Sequence, residues 1–420
     1  MIEMPGAVGD VVRSVGLATA MKAAGVVTGL LPIPQPTLLV GPGSSRRLGE
    51  AIAGFGHRKV LLVTDRMIAG LGLTNELVGA LTERGTEHVL FDGAVADAPI
   101  PSIEQGIKIY VAQGCDAVVA FGGGSPMDTA KTIALAVANN KAPAKLVGYF
   151  KGMRAPVPIY AVPTTAGTGS EVTVAAVISD PRKHAKLVIA DTRIVPSMAA
   201  LDPELMTGLP PAVTAATGID ALTHAVEAYV GNWATAGSDR MALAAVGMIF
   251  RYLPTAYRDG KDLEARQQMA LAATYAGLAF TRANVGYVHA IAHQLGARYG
   301  TPHGLANAIV LPHVLEFLAP AITDRLAQLA DAAAVSGKRD RPTTRARKFV
   351  ASVVAMNRGL GIPETLEALR ERDIPGLAKA ACWEADTSYP VPRYMSPEDC
   401  GQLLRRILPA KAPARAPRRR

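Results

Sequence analysis

The sequence predicts a two-domain protein, in which an α/β domain built on a parallel sheet is followed by an all-helical domain. The chain has 420 residues, of which 49% are hydrophobic, and this is enough for two separate cores. From Pro36 onward, short apolar runs alternate with amphipathic segments, as in a parallel sheet covered by helices on both faces. Strand signals then nearly vanish, and alanine- and leucine-rich helical segments continue to Leu408. We therefore expect an α/β domain over residues 1–208 and a helical domain over residues 209–420.

The elements of the first domain follow one another as strands separated by helices. Each predicted strand is a short apolar run, and each predicted helix carries its apolar residues at helical spacing. The predicted strands are Thr37–Val40, Lys59–Asp65, Val89–Phe91, Ala117–Phe121 and Pro158–Val162, and the predicted helices between them include Ser44–Phe55, Asn75–Arg84 and Ile103–Gln113.

An additional arm is expected at residues 1–35, ahead of the first strand. Val11–Leu31 is fairly apolar, but Arg13 and Lys22 interrupt it. The segment also lacks the basic leader of a secretory signal and the uninterrupted apolar length of a membrane span. It is interpreted as an extra helix or a flexible arm on the surface.

The net charge of +9 is unevenly placed, because residues 410–420, AKAPARAPRRR, carry five positive charges and no acid. This tail is interpreted as a disordered, solubilising end. Contact with nucleic acid or an anionic membrane is the alternative, although no nucleic-acid-binding module appears in the chain. The three cysteines, an odd number without CxxC spacing, indicate a reducing compartment. A soluble, cytoplasmic protein is therefore expected.

Two glycine-rich turns follow predicted strands. The first, GPGSSR at Gly41–Arg46, has arginine where a GxGxxG motif has its third glycine, and it is interpreted as a structural turn with a serine helix cap. The second, FGGGSPMDTAK at Phe121–Lys131, opens a helix after a strongly apolar strand. Its glycines, Gly122, Gly123 and Gly124, let backbone N–H groups approach an anion at a helix N-terminus. A phosphate-binding turn that is not a standard Rossmann motif is predicted here, and a plain strand-to-helix turn is the alternative.

Two further positions offer polar groups to a cofactor. Asp65 ends a strand, where its carboxylate would accept hydrogen bonds from an adenosine ribose and repel a 2′-phosphate. A helix-capping role for this aspartate is the alternative. The segment PTTAGTGSEVT presents the hydroxyls of Thr164, Thr165 and Thr168 beside flexible glycines, as a polar cofactor cradle requires.

A cluster of histidines predicts a metal site. Gly286–Val314 contains four of the eight histidines of the chain. His289 and His293 are four residues apart and share one helical face, and His303 follows in a break rich in glycine and proline. Three imidazoles on a helix–turn–helix can converge on one point, as a metal requires. The alternative is a set of unrelated core or surface histidines.

A second segment, Gly218–Val230, adds Asp220 and His224, again four residues apart. Together the two segments predict four ligands: Asp220, His224, His289 and His303. Four protein ligands would close a tetrahedral zinc site, whereas Fe(II), with five or six ligands, leaves room for a substrate oxygen. Fe(II) is therefore the expected ion, and Zn(II), Co(II), Ni(II) or Mn(II) are substitutes that the sequence does not separate from it.

The patterns GIDALTHAVEAYV and VHAIAHQLGARYGTPHG resemble the two signature regions of the iron-containing (group III) alcohol dehydrogenases. The resemblance runs from about Pro36 to Leu408 and implies the dehydroquinate synthase-like architecture of that family. The matching positions in the family are metal ligands, which implies the same four ligands here. The second helical histidine of the family matches His293, which implies a position beside the nicotinamide. A fifth, weak ligand or a helix-packing residue is the alternative for His293.

The same resemblance extends to the cofactor segments. GGGSPMDTAK resembles the pyrophosphate-binding turn of the family, PTTAGTGSEVT matches its second cofactor segment, and Lys186 corresponds to a residue near the ribose. From the residues alone, Lys186 would be a solvated lysine at a strand edge. An acidic residue at the position of Asp65 is associated in the family with NAD. The implied cofactor contacts are Asp65, Gly122, Gly123, Gly124, Ser125, Asp128, Thr164, Thr165, Thr168 and Lys186.

These features predict a metal-dependent alcohol dehydrogenase that moves hydride reversibly between NAD and a small, neutral alcohol, with His293 as a catalytic proton relay. Arg298 is the one cationic residue in Gly286–Val314, which argues against an anionic substrate. The alternative is a dehydroquinate synthase-like lyase that uses NAD transiently. The aromatic residues Trp383, Tyr389 and Tyr394 either shape the substrate pocket or belong to the core. We expect a homo-oligomer, a dimer, without a specific nucleic-acid or membrane partner.

Overall fold

A computed structural model describes residue 25 and residues 31–182 and 185–409. The expected arm at residues 1–35 and the basic tail at residues 410–420 therefore lie largely or wholly outside the described residues. The strands are β1 Thr37–Val40, β2 Lys59–Val63, β3 Glu87–Phe91, β4 Ala117–Gly122, β5 Gly148–Tyr149, β6 Ile159–Pro163, β7 Ala175–Asp180, β8 Ala185–Ala190 and β9 Met198–Leu201.

Helices separate the strands and then take over the second half of the described chain. The first five are α1 Ser44–Gly54, α2 Arg66–Gly70, α3 Asn75–Glu83, α4 Ile100–Gln113 and α5 Gly124–Asn139. The next eight are α6 Pro211–Val230, α7 Ala236–Arg258, α8 Leu263–Ala283, α9 Tyr287–Tyr299, α10 His303–Ala332, α11 Pro342–Gly359, α12 Ile374–Ser388 and α13 Pro397–Arg406.

Six strands form a parallel sheet in the order β1-β9-β6-β4-β2-β3. Along β2, Leu61 and Val63 enter one apolar layer while Val60 and Leu62 enter the layer on the opposite face. This alternation is the signature of a strand buried on both faces by helices. The predicted α/β domain with a parallel, Rossmann-like sheet is confirmed, and so is the helical second part.

The strand order contains a switch point between β2 and β4. The chain leaves β2 toward β3 on one side, and leaves β4 toward β6 on the other side. Connections that diverge in this way open a crevice at the carboxyl ends of the two strands, which is where open α/β sheets bind ligands. Asp65 follows β2 and Gly123 follows β4, so the two predicted cofactor segments flank this crevice.

The sequence analysis missed four strands. β5, β8 and β7 form a separate three-stranded sheet, in which β7 and β8 pair antiparallel. β9, with the sequence MAAL, pairs with β1 and β6 in the main sheet. The two-residue β5 and the alanine-rich β9 carry little intrinsic strand preference, so tertiary pairing determines these two strands. Lys186 lies in β8, the central strand of this small sheet, and its amine forms an ion pair with Asp97.

The turn at Gly41–Arg46 is structural, as predicted, but the predicted serine cap is wrong. The residue before α1 is Gly43, which has no side chain to cap the helix. Instead, Asp202 Oδ2 accepts hydrogen bonds from Ser45 N at 3.0 Å and Ser45 Oγ at 2.7 Å, while Glu204 Oε2 accepts one from Gly43 N. Carboxylates therefore already occupy the amides that a phosphate would need.

The last strand ends at Leu201 and α6 begins at Pro211, so the predicted domain boundary near residue 208 falls in the segment between them and stays a prediction. The two parts meet where the loop after β6 reaches α8. A Cβ atom on Gly169, whose φ is +60°, would lie 2.7 Å from both Ala273 O and Gly277 Cα. The absence of a side chain at Gly169 thus allows the loop backbone to pack directly on the helix.

Among the described residues, one helix, α10, is long and apolar enough to cross a membrane by length and composition alone. Of its most apolar stretch, 61% is buried inside the protein, as for the core helix of a soluble fold. Prolines at positions 312 and 320 and a non-helical Ile322 bend it. The helix therefore gives only weak evidence for a membrane span.

Candidate metal centre and cofactor cleft

The four predicted ligands come together at the meeting point of three helices. Asp220 and His224 leave one face of α6, His289 comes from the first turn of α9, and His303 is the first residue of α10. One acceptor atom from each of the four lies within 4.8 Å of all the others. The approach depends on Gly304, because a Cβ atom there would lie 2.4 Å from the backbone oxygen of residue 216.

The cluster has more hydrogen-bond acceptors than donors. The amide Nδ2 of Asn307 lies 2.7 Å from Asp220 Oδ1, 3.3 Å from His289 Nε2 and 3.2 Å from His303 Nε2. An amide nitrogen has two protons, so it cannot satisfy all three. The Nδ1 atom of His224 is buried and has no hydrogen-bond partner. Buried, unpaired acceptors are costly unless a cation binds them.

The imidazoles of this cluster have the protonation that a metal requires. Burial lowers the pKa of His224, lowers that of His289 well below its ordinary value, and lowers that of His303 to about 4. Near neutral pH, all three therefore present lone pairs rather than positive charges. Three neutral imidazoles and one carboxylate suit Fe(II) or another divalent transition metal. The four clustered side chains therefore fit a divalent transition metal.

A buried glutamate that was not predicted from the sequence, Glu227, holds one of the predicted ligands, His289. Its Oε2 atom lies 2.5 Å from His289 Nδ1, and its Oε1 atom accepts a hydrogen bond from Val288 N at 2.7 Å. Burial raises the pKa of Glu227 to about 8 in the metal-free protein. The two buried carboxylates, Glu227 and Asp220, would together balance a divalent cation. Glu227 lies three residues after His224 on the same helical face, and this spacing was the sequence feature from which its role could have been predicted.

The cofactor cleft is built from the two segments that the sequence analysis selected. The backbone N–H of Thr164 donates to Gly122 O at 3.1 Å, so the threonine loop lies directly beside the glycine turn. A Cβ atom on Gly123 would lie 3.3 Å from Thr165 Oγ1, and one on Gly124 would lie 3.0 Å from Thr168 Cγ2. The glycines thus let both hydroxyl-bearing residues pack against the N-terminus of α5.

A buried lysine, Lys131, secures this loop to α5. Its Nζ atom lies 2.9–3.1 Å from four oxygens, which share its three protons: Ser170 Oγ, Thr173 O, Thr173 Oγ1 and Ala175 O. Burial lowers its pKa to about 8. Asp128, one turn earlier, accepts from Ser170 Oγ at 3.2 Å and from Val177 N at 3.1 Å. In this structure, Asp128 therefore bonds to the loop and to β7.

The remaining predicted cofactor residues lie at the mouth of the cleft. Ser125 Oγ accepts a hydrogen bond from Asp97 N at 3.2 Å, and Lys186 Nζ lies 2.8 Å from Asp97 Oδ1. Asp65 caps α2, because its Oδ1 atom accepts from Ile68 N at 2.9 Å. This is the capping role weighed as the alternative, and it leaves the second carboxylate oxygen for another partner.

The cleft and the metal cluster adjoin each other. The backbone of Gly167, in the threonine loop, faces the ring of His224. Lys186 Nζ lies 3.7 Å from the position of a Cβ atom on Gly296 in α9, and its charge contributes to lowering the pKa of His303. His293 stacks on His303 with ring centroids 5.4 Å apart. Cofactor and metal would therefore meet at one place.

Comparisons with known proteins identify the architecture. The family model for iron-containing alcohol dehydrogenase matches residues 35–203. The family model for the C-terminal part of the Fe-containing alcohol dehydrogenase family matches residues 214–408. The chain belongs to the iron-containing alcohol dehydrogenase family. It is 36% identical to an NAD-dependent methanol dehydrogenase of Bacillus methanolicus, over 89% of this chain and 98% of that protein.

Two further relatives support the assignment. Lactaldehyde reductase of Escherichia coli (strain K12) is 37% identical, over 88% of this chain and 97% of that protein. The crystal structure of a 1,3-propanediol oxidoreductase superposes with a TM-score of 0.87 at 36% identity, covering 90% of this chain and all of that one. Membership confirms the resemblance, the dehydroquinate synthase-like fold, the enzyme class and the cofactors iron and NAD. It favours the dehydrogenase over the lyase.

We expect loss of any one of the four clustered side chains to remove metal and activity together. Asp220→Ala, His224→Ala, His289→Ala or His303→Ala should lower metal occupancy, measured by mass spectrometry after dialysis against Fe(II), and should abolish alcohol oxidation. Glu227→Gln should weaken metal affinity by roughly 10- to 100-fold, because it orients a ligand without being one. His313→Ala, further along α10 and outside the cluster, is the matched control. Full activity in thoroughly chelated protein would contradict the assignment.

We expect Asp65 to set the preference for NAD over NADP by repelling a 2′-phosphate. Asp65→Gly should narrow or reverse the preference by about a hundredfold in the ratio of kcat/KM values, which is about 2.7 kcal/mol. Asp65→Asn keeps an oxygen that can cap Ile68 N and removes only the charge, so it separates repulsion from loss of the cap. Equal use of NAD and NADP by the wild-type enzyme would refute the proposed role.

Proposed function

We propose that this enzyme interconverts a small, uncharged alcohol and its aldehyde or ketone, using NAD and a divalent iron bound by Asp220, His224, His289 and His303. The convergence of these four acceptors beside the cofactor loop is the observation that carries the proposal. The relatives named for methanol, lactaldehyde and 1,3-propanediol all act on small, uncharged alcohols or aldehydes, which supports the substrate class.

The charges around the cleft also favour a neutral substrate. Lys186 pairs with Asp97 at 2.8 Å, and Arg298 pairs with Asp373 at 3.0 Å. Each of these cations is therefore already neutralised by a carboxylate. A lyase substrate that carries both a carboxylate and a phosphate would require several cationic side chains at the metal.

The α/β part would bind the cofactor, and the helical part would bind the metal and supply His293. When bound, the metal supplies Lewis-acid polarisation of the substrate oxygen, and NAD accepts the hydride. The glycine turn and the threonine loop would orient the cofactor so that its nicotinamide faces α9. His293, one helical turn after His289, would accept the alcohol proton and pass it to solvent. The adjoining parts would exclude bulk water from the reacting atoms.

The proposal includes a cytoplasmic homodimer with no specific nucleic-acid or membrane partner. The three cysteines, all buried and free of disulfides, suit a reducing compartment. Light scattering coupled to size-exclusion chromatography of the full chain tests the dimer, and a monomer at micromolar concentration would refute it.

We expect Fe(II)-reconstituted enzyme to reduce NAD with short uncharged alcohols, followed by NADH absorbance. Methanol, ethanol, propanol and 1,2- and 1,3-propanediol should give higher kcat/KM than hydroxy-carboxylates or hydroxy-sulfonates of similar length. The same enzyme should oxidise NADH with the corresponding aldehydes. A preference for the anionic substrates would contradict the uncharged class, and no turnover with any alcohol would contradict the activity itself.

We expect His293→Ala to separate this histidine from the metal ligands. Metal content and NAD affinity should stay close to those of the wild type, because four other acceptors form the cluster. Turnover should fall roughly 100-fold, the usual effect of losing one acid–base group. Metal loss comparable to that in His289→Ala would show instead that His293 is a ligand.

A further inference from the structure

His293 is held by a carboxylate from a distant part of the helical domain. Its Nδ1 atom lies 2.6 Å from Oε1 of Glu384, which is 91 residues further along the chain in α12. Both side chains are largely enclosed, with 19% of His293 and 25% of Glu384 exposed. This distance is that of a short, charge-assisted hydrogen bond, which is stronger and more directional than a neutral one.

Two other donors immobilise the Glu384 carboxylate. The hydroxyl of Tyr389 donates to Oε1 at 2.7 Å, and the amide of Gln294 donates to Oε2 at 2.7 Å. Burial raises the pKa of Tyr389 well above its ordinary value, so its phenol remains a donor. Both carboxylate oxygens therefore have fixed donors, and the oxygen that faces His293 has a defined direction.

This contact determines which ring nitrogen of His293 carries the proton. An ionised carboxylate only accepts hydrogen bonds, so Nδ1 of the neutral imidazole must donate, and Nε2 keeps its lone pair. Among the described residues, no protein group forms a hydrogen bond with Nε2. The ring also stacks on His303 at 5.4 Å and meets His289 edge-on at 6.1 Å, which keeps it beside the metal cluster.

We propose that Glu384 is a positioning residue, which fixes the Nδ1–H form of His293 and thereby leaves Nε2 free to accept the proton of the substrate alcohol. The inference rests on the proposed function of His293. In the oxidation, the C–H bond of the alcohol would break with its electron pair passing to NAD, and the O–H bond would break with its proton passing to Nε2 of His293. The carbonyl would form, and the protonated ring would return its proton to water. Glu384 stabilises the positive charge while the ring carries it.

Glu384 directly follows Trp383 in the sequence. It lies in the segment whose aromatic residues were predicted either to shape the substrate pocket or to belong to the core. Trp383 is 59% exposed, so the core interpretation is wrong for that residue. Tyr389 and Tyr394 pack partly against the helical core. Because the hydroxyl of Tyr389 bonds Glu384, this segment supports the chemical site through a chain of hydrogen bonds.

The direct test is the protonation pattern of the His293 ring in metal-free enzyme labelled with 15N-histidine. His293→Ala identifies its signals by their disappearance. In the wild type, the 15N shifts should show a protonated Nδ1 and an unprotonated Nε2. In Glu384→Gln they should move toward a mixture of the two forms, while Glu384→Asp should keep more of the wild-type pattern. Asp386→Asn, another carboxylate in α12, which bonds Tyr287, is the matched control and should leave the pattern unchanged.

Kinetics on metal-loaded enzyme provide the second test. Glu384→Gln should lower kcat by roughly 10- to 100-fold with little change in the KM for NAD, and Glu384→Asp should recover part of the loss. The double variant His293→Ala/Glu384→Gln should be no slower than His293→Ala, since the carboxylate acts through the ring. Additive losses, or an unchanged 15N pattern in Glu384→Gln, would overturn the role of Glu384. Absence of alcohol oxidation in the wild type would instead overturn the proposed function, while the 15N result would still decide the tautomer.

Discussion

The contact between Glu227 and the start of α9 is the interaction on which the metal centre depends. One buried carboxylate of α6 accepts a backbone N–H from Val288 and contacts the ring of His289. Glu227 therefore both caps the N-terminus of α9 and orients the ring of His289. A Cβ atom on Gly286 would lie 2.9 Å from Glu227 Oε1, so glycine at that position is what admits the carboxylate. The contact therefore holds the helix that carries His289 against the helix that carries Asp220 and His224.

The cofactor side depends on a different constraint, the close approach of backbones. The loop after β6 must touch both the glycine turn of the sheet domain and the helices of the second part. It does so through glycines, because Gly169 lies against Gly277 in α8 and Gly167 lies against Thr217 in α6. Thr274 Oγ1 donates to the buried Glu171 at 2.7 Å and adds a polar contact across the same junction. The reactive ends of cofactor and substrate would otherwise be held apart by side chains.

Sequence reasoning found those features that repeat at short spacing. Asp220 and His224 share a helical face, as do His289 and His293, and the glycine turn follows a strongly apolar strand. Glu227 and Glu384 were missed because their important partners are remote in sequence. Glu227 meets a histidine 62 residues away, and Glu384 meets one 91 residues away. The sequence of β9, MAAL, has little strand preference of its own, and β9 is stabilised by pairing with β1 on one side and β6 on the other.

Two histidines one turn apart, His289 and His293, lie in different environments. His289 and His293 both present Nδ1 to a glutamate oxygen, at 2.5 Å and 2.6 Å. Their other nitrogens differ, because Nε2 of His289 faces the acceptor cluster around Asn307, whereas Nε2 of His293 has no such partner among the described residues. Their exposure differs too, since 3% of the His289 side chain and 19% of the His293 side chain reach solvent. A fully buried imidazole whose Nε2 acceptor lies beside a carboxylate suits a metal, and a partly exposed imidazole can exchange its proton with water. In the proposed function, the repeat of histidine on one helical face would therefore serve two chemical roles.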